Sequence, residues 1–189
     1  MSVFGSYFLL QGLYDNDAGE YATELLTSES DTHTWNYMLS EEKATITAEA
    51  WSTEIKDNMT YSHPWGASPA IFITQGIFGI KPLKPGFDEF QIKLQPGEIK
   101  KAYIRVPTIK GEISISYQLD QNMKFENIDI IVPANTRASV MFPMEYIDED
   151  MVYINDQPVE ISSKELYGYL WLDSGEYKIQ KEVYEEDLK

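Results

Sequence analysis

The residues best equipped for chemistry lie between positions 43 and 69. Lys43-Ala44-Thr45-Ile46-Thr47-Ala48-Glu49-Ala50-Trp51 sets one carboxylate among small and apolar neighbours. Ser62-His63-Pro64-Trp65-Gly66-Ala67-Ser68-Pro69 follows and leads into an apolar run. Sugar sites use this mixture: an aromatic face packs on the apolar face of a pyranose ring, and carboxylates bond its hydroxyls or move protons.

Other chemistries lack parts. The chain has no cysteine, which excludes disulfides and thiolate metal sites. Its two histidines, His33 and His63, have no acidic cluster at ligand spacing, so no metal site is expected. Gly-rich phosphate loops and any Ser–His–Asp pattern are missing as well, and no cofactor is expected. Lys and Arg number 15 against 31 Asp and Glu, a formal charge of −16. Such a surface repels nucleic acid and anionic membranes and suits a neutral ligand such as a sugar, or serves solubility alone. No stretch is apolar enough to span a bilayer. Met1-Ser2-Val3-Phe4 lacks the basic and apolar regions of a signal peptide. Whether the protein is cytoplasmic or exported stays open.

The elements that must position these residues change character near residue 80. Residues 1–80 read as helix and carry a net charge of −9, and residues 81–189 read as strand with −7. Phe4, Tyr7, Phe8, Leu9, Leu10 and Leu13 predict a helix, with Phe4 and Phe8 on one buried face. Asn16 and Asp17 break it and are candidate caps for a second helix bearing Tyr21, Ala22, Leu25 and Leu26, with Glu20 and Glu24 outside. Trp35, Met38 and Leu39 suggest a short third one. Ser68, as N-cap, and Pro69 open a fourth, apolar on nearly all sides through Phe78 and so enclosed by other helices. Gly79 closes it in the left-handed conformation. Lys81-Pro82-Leu83-Lys84-Pro85-Gly86 is the natural junction. Beyond it, period-two alternation takes over: Ala102, Ile104 and Val106; Ile113, Ile115, Tyr117 and Leu119; Ala138, Val140 and Phe142; Leu170 and Leu172; Tyr177 and Ile179. These runs, split by Pro96-Gly97, Lys110-Gly111, Asp120-Gln121-Asn122 and Ser174-Gly175, read as an antiparallel β-sandwich.

The two chemical segments resemble the α-L-rhamnosidases of glycoside hydrolase family 78. A family stretch like Gly-Ala-Thr-Thr-x-Trp-Glu-x-Trp is matched at Ala44, Thr45, Glu49 and Trp51. Lys43, Ile46 and Ala48 stand where the family has Gly, Thr and Trp. Ser62 to Pro69 resembles Ser-His-Pro-Trp-Gly-x-x-Pro. Gly79-Ile80-Lys81-Pro82-Leu83-Lys84-Pro85-Gly86-Phe87 resembles Gly-Ile-x-Pro-x-x-Pro-Gly-Phe. Pro96-Gly97, Val106-Pro107-Thr108 and Gly111 also fall where the family's terminal sandwich has such residues, so the likeness runs from about Phe4 to Lys181.

That resemblance implies an α+β chain: closing helices of a bacterial (α/α)₆ barrel over 1–82, incomplete, then a β-sandwich over 83–184 and a tail at 185–189. It also implies an inverting glycoside hydrolase that releases terminal α-L-rhamnose from a rhamnose-containing glycoside. Glu49 is then the candidate general base, and His63, Trp51 and Trp65 are candidate substrate contacts. The plainer alternatives are a solvated loop carboxylate, a backbone-bonded histidine and core tryptophans, and His33 and Trp35 stand in the same position. Since the family's general acid lies upstream of anything here, the chain is expected to be a C-terminal fragment. Alone it should be inactive and should self-associate through exposed helices. Two other functions stay open: a non-catalytic carbohydrate-binding or structural sandwich module, and an (α/α)₆ hydrolase for another sugar.

Overall fold

A computed structural model describes residues 1–30, 32–147, 151–164 and 166–181. The acidic run Glu185-Glu186-Asp187 and the tail from Glu182 lie outside these residues. The chain divides into two compact units. One comprises Met1–Ile77 with Gln95–Glu98, the other Phe78–Leu94 with the chain from Ile99 onward.

The first unit holds four short helices. Helix α1 (Val3–Asp15) starts where the Ser2 hydroxyl accepts the Gly5 N–H at 3.0 Å and stops at Asn16, whose side chain donates to the Gly12 carbonyl. Its buried face is Val3, Ser6, Leu10 and Tyr14. The expected Phe4–Phe8 pair does form, edge to face at 5.2 Å, but on the outer side, with Phe4 45% and Phe8 59% exposed. The i, i+4 rule correctly places them together and says nothing of which side faces inward.

Helix α2 (Gly19–Thr27) buries Gly19, Ala22 and Thr23. Tyr21 and Leu25 are exposed, contrary to the expected stripe. Its N-cap is Ala18, without a side-chain bond, so neither Asn16 nor Asp17 caps it, and Asn16 instead closes α1. The reason for the inverted face is the return segment Gln95–Glu98. Gln95 is buried and donates to the Tyr14 carbonyl at 3.0 Å, and a Cβ on Gly19 would lie 2.6 Å from the Gln95 side chain. Gly97 packs on Thr23 in the same way.

Helix α3 (Trp35–Ser40) is capped by Thr34, whose hydroxyl accepts the Tyr37 N–H. It buries Trp35 and Met38 and leaves Leu39 exposed. Helix α4 (Ser68–Phe72) continues as a π-turn over Ile73–Ile77. Its N-cap is Ala67 rather than Ser68. Phe72 and Ile77 are buried, whereas Ile71 and Ile73 are 37% and 44% exposed, so this helix is not enclosed on all sides. Gly76 allows the Tyr14 ring to approach, since a Cβ there would sit 2.5 Å from that ring.

The second unit is a sandwich of two sheets. One runs β1 (Lys81–Pro82), β2 (Glu89–Lys93), β6 (Arg137–Pro143), β10 (Tyr167–Leu172), β9 (Ser162–Lys164), in that order across the sheet. The other runs β3 (Lys101–Thr108), β4 (Gly111–Leu119), β5 (Phe125–Val132), β11 (Gly175–Gln180), β7 (Met151–Ile154), β8 (Gln157–Glu160). Pairing is antiparallel except β2 against β6, which is parallel. The alternation predicted for β4 and β6 is realised: Ile113, Ile115, Tyr117 and Leu119 are buried, as are Ala138, Val140 and Phe142. These inner faces meet where Phe125 of β5 contacts Phe142 of β6 edge to face at 6.3 Å. Gly79 has φ +58°, and its Cα faces the Lys93 backbone so closely that no Cβ fits there.

Candidate functional site

The site is built by a region with little regular structure. Residues 41–63 form turns and bends, pinned at a few points. The His63 N–H donates to the Thr47 carbonyl at 2.8 Å, and the Thr47 hydroxyl donates to the His63 carbonyl at 2.9 Å, which joins the two chemical segments. Gly66 completes the junction. A Cβ there would lie 2.8 Å from the Ala48 carbonyl oxygen, and the Gly66 carbonyl accepts the Trp35 indole N–H at 2.9 Å. The glycine of Pro64-Trp65-Gly66 is therefore a close-approach residue.

Glu49 is bonded through main chain and side chain alike. Its N–H donates to the Thr60 carbonyl at 2.9 Å, and the Thr60 N–H returns to Oε2 at 3.0 Å. Lys56 Nζ donates to Oε1. The carboxylate is 16% exposed. The Lys56 hydrogen bond comes first in holding its pKa at about 2, below the ordinary 4.5, and the Thr60 N–H second. Desolvation opposes them, and the charges of Lys56 and His63 add smaller lowering effects.

Glu49 lines a cleft of about 540 Å³ together with Met1, His33, Trp51, Lys56 and Trp65. Four of the residues weighed from the sequence, Glu49, Trp51, Trp65 and His33, thus share one concavity. His63 is outside that lining, and its ring meets Trp65 nearly perpendicularly at 4.5 Å. Trp51 is 4% exposed, meets Trp35 edge to face at 5.0 Å and donates its indole N–H to the Met1 carbonyl. Trp65 is 44% exposed and rests on Phe4 at 4.8 Å. Trp65 is accordingly the more exposed ring of the two, while Trp51 walls the cleft. Ala48 is fully buried, with its N–H directed at Met38 Sδ, so that position offers no platform.

Sequence reasoning missed Lys56. A lysine seven residues from a glutamate in a loop has no helical or strand spacing to announce it. It also missed Trp171, 48% exposed on β10, whose ring carries the Arg137 guanidinium at 4.9 Å. Among the described residues no group of three or more His, Asp or Glu is placed to hold a metal ion, and no helix is long and apolar enough to cross a membrane.

Residues 79–152 match the family described as bacterial alpha-L-rhamnosidase C-terminal domain. That match covers 74 of the 189 residues and makes the sandwich segment similar to that family. Three solved α-L-rhamnosidases carry the same fold over nearly all of the chain. The enzyme from Dictyoglumus thermophilum is 24% identical over 94% of the chain, with a TM-score of 0.81. That from Streptomyces avermitilis, solved with L-rhamnose, is 22% identical over 93%, with a TM-score of 0.76. That from Aspergillus terreus is 20% identical over 95%, with a TM-score of 0.72. The chain spans 20%, 17% and 19% of those three chains, about a fifth of their length. No curated protein sequence matches. The rhamnosidase C-terminal domain match includes Gly79 to Phe87, where the required left-handed Gly79 sits, and excludes the cleft of residues 1–77.

Proposed function

We propose that this chain is the C-terminal part of an inverting glycoside hydrolase that releases terminal α-L-rhamnose, its helices being the last ones of an (α/α)₆ barrel and Glu49 its general base. The observation that carries the reading is the placement of Glu49 in one cleft with Trp51 and the exposed Trp65. An inverting mechanism needs two carboxyl groups roughly 6.5–9.5 Å apart, one protonating the leaving oxygen and one taking a proton from the attacking water. Glu49 supplies the second role. Its carboxylate is ionised at any pH at which such an enzyme works, and each oxygen retains lone-pair capacity beyond the single bond named above. Trp65 presents a ring face to the apolar side of the sugar.

The chain alone is then a poor catalyst, because general-acid catalysis is worth about 10²–10⁴ in rate and its acid must come from elsewhere. In the intact enzyme, Glu49→Gln should remove turnover of an aryl α-L-rhamnoside while leaving L-rhamnose affinity within a few fold. Near-normal turnover would refute the base assignment. A substrate panel on the same protein separates rhamnose from other sugars.

A further inference from the structure

We infer that Lys56 is a positioning residue for the Glu49 carboxylate, fixing its orientation in the cleft jointly with the Thr60 main chain. The inference rests on the reading of Glu49 just given, and its structural content stands by itself.

The geometry is that of a closed loop. Glu49 and Thr60 exchange a main-chain bond and a main-chain to side-chain bond, closing a neck. Within the loop the Ile55 and Lys56 N–H groups both reach the Ser52 carbonyl at 3.2 Å, and the Met59 N–H reaches the Lys56 carbonyl at 3.2 Å. These bonds fold the Lys56 backbone back toward the neck, so its ammonium meets Oε1 while Thr60 holds Oε2. Each carboxylate oxygen is held by a different donor, which fixes the plane of the carboxylate as a single donor would not.

Composition makes the placement informative. Residues 1–80 contain two basic side chains, Lys43 and Lys56, against 11 acidic ones. Lys43 bonds the Ser40 carbonyl, and Lys56 stands on Glu49. In so acidic a region the distant charges oppose ionisation of a carboxylate, although water and salt screen them. A lysine in contact overrides them. The groups facing this pair are few: His63 acts on Glu49 through its charge, and His33 and Met1 share the cleft wall.

Two consequences for catalysis oppose each other. Lys56 keeps the carboxylate ionised and aimed, and it lowers its basicity, since base strength follows pKa.

The test is a carbon-13 NMR titration of the glutamate side-chain carboxyls in the whole chain, with Glu49→Gln assigning the Glu49 signal. The Glu49 midpoint should lie near 2 in the natural sequence, rise toward 4.5 in Lys56→Met and return downward in Lys56→Arg. A natural-sequence midpoint near 4.5, or one that Lys56→Met leaves unmoved in a folded protein, would overturn the inference. If Lys56→Met does not fold, nitrogen-15 detection of the lysine ammonium groups in the natural sequence decides it: the Lys56 signal should shift in Glu49→Gln, and an unchanged signal counts against the pair. None of these readouts involves sugar. If Glu49 is not the base, the midpoints behave as stated and only the turnover of Glu49→Gln in the intact enzyme departs from expectation.

Discussion

The Trp35 indole N–H donates to the Gly66 carbonyl at 2.9 Å, across 31 residues of sequence, and so ties helix α3 to the turn that carries Trp65. The bond is buried. Trp35→Phe keeps an aromatic ring, smaller than the indole, and removes the donor, leaving a buried carbonyl without its partner and some unfilled volume beside Trp51. The expected cost is about 1–3 kcal/mol, read as a lower urea midpoint at unchanged m value. Because Trp35 also meets Trp51 edge to face, the fluorescence of the cleft should change with it.

Gly79 and Gly86 make an internal comparison. Both are left-handed, with φ +58° and +72°. A Cβ on Gly86 meets nothing within 4 Å, whereas one on Gly79 meets the Lys93 main chain. Gly86→Ala should cost only the left-handed penalty of about 1–2 kcal/mol. Gly79→Ala should cost clearly more, since backbone cannot move aside as a flexible side chain does. Equal losses in denaturant unfolding would show that the close approach is not there.

These residues mark what was readable in the sequence. The sandwich was legible because β4 and β6 have one inner and one outer face, and alternation reports that directly. Strand β5 was not singled out, since Phe125 to Val132 mixes Asn127, Asp129 and exposed Ile131 into its pattern. The four helices were legible in place, and their buried sides only in part: Leu10, Ala22, Met38 and Phe72 are buried, whereas Phe8, Tyr21, Leu39 and Ile73 are not. Gly19 and Thr23 are buried because Gln95, Gly97 and Tyr14 pack there, and Gln95 is more than 70 residues from each of the two in sequence. For the site, residue types suggested the cleft. The partner of Glu49 emerged only from the fold of the Ser52–Thr60 turn.

The Glu49 pair makes acid stability testable. A carboxylate whose pKa is lower folded than unfolded stabilises the protein above the unfolded value and loses that contribution as pH falls through the folded one. For Glu49 the window lies between about 4.5 and about 2. The natural chain should therefore lose stability across this interval. Glu49→Gln, which cannot titrate, should start less stable at neutral pH and decline less steeply there. Parallel pH curves for the two proteins in urea unfolding would remove the linkage.

The outer side of α1 yields the last expectation. Phe4, Phe8 and Trp65 are 45%, 59% and 44% exposed, and Phe4 touches both of the others at ring distances of 5.2 and 4.8 Å. They form a contiguous apolar patch rather than scattered single residues, and patches of that kind favour association. The charge of −16 opposes it by repulsion between copies, a force that salt screens within about 8 Å at physiological ionic strength. Association should thus strengthen with added salt, the reverse of what an electrostatic contact would do. Sedimentation velocity at tens of micromolar should show self-association that grows with sodium chloride and is reduced by Phe8→Ser. A clean monomer at high salt would show that repulsion is not what limits contact and that this patch is too small to hold two copies together.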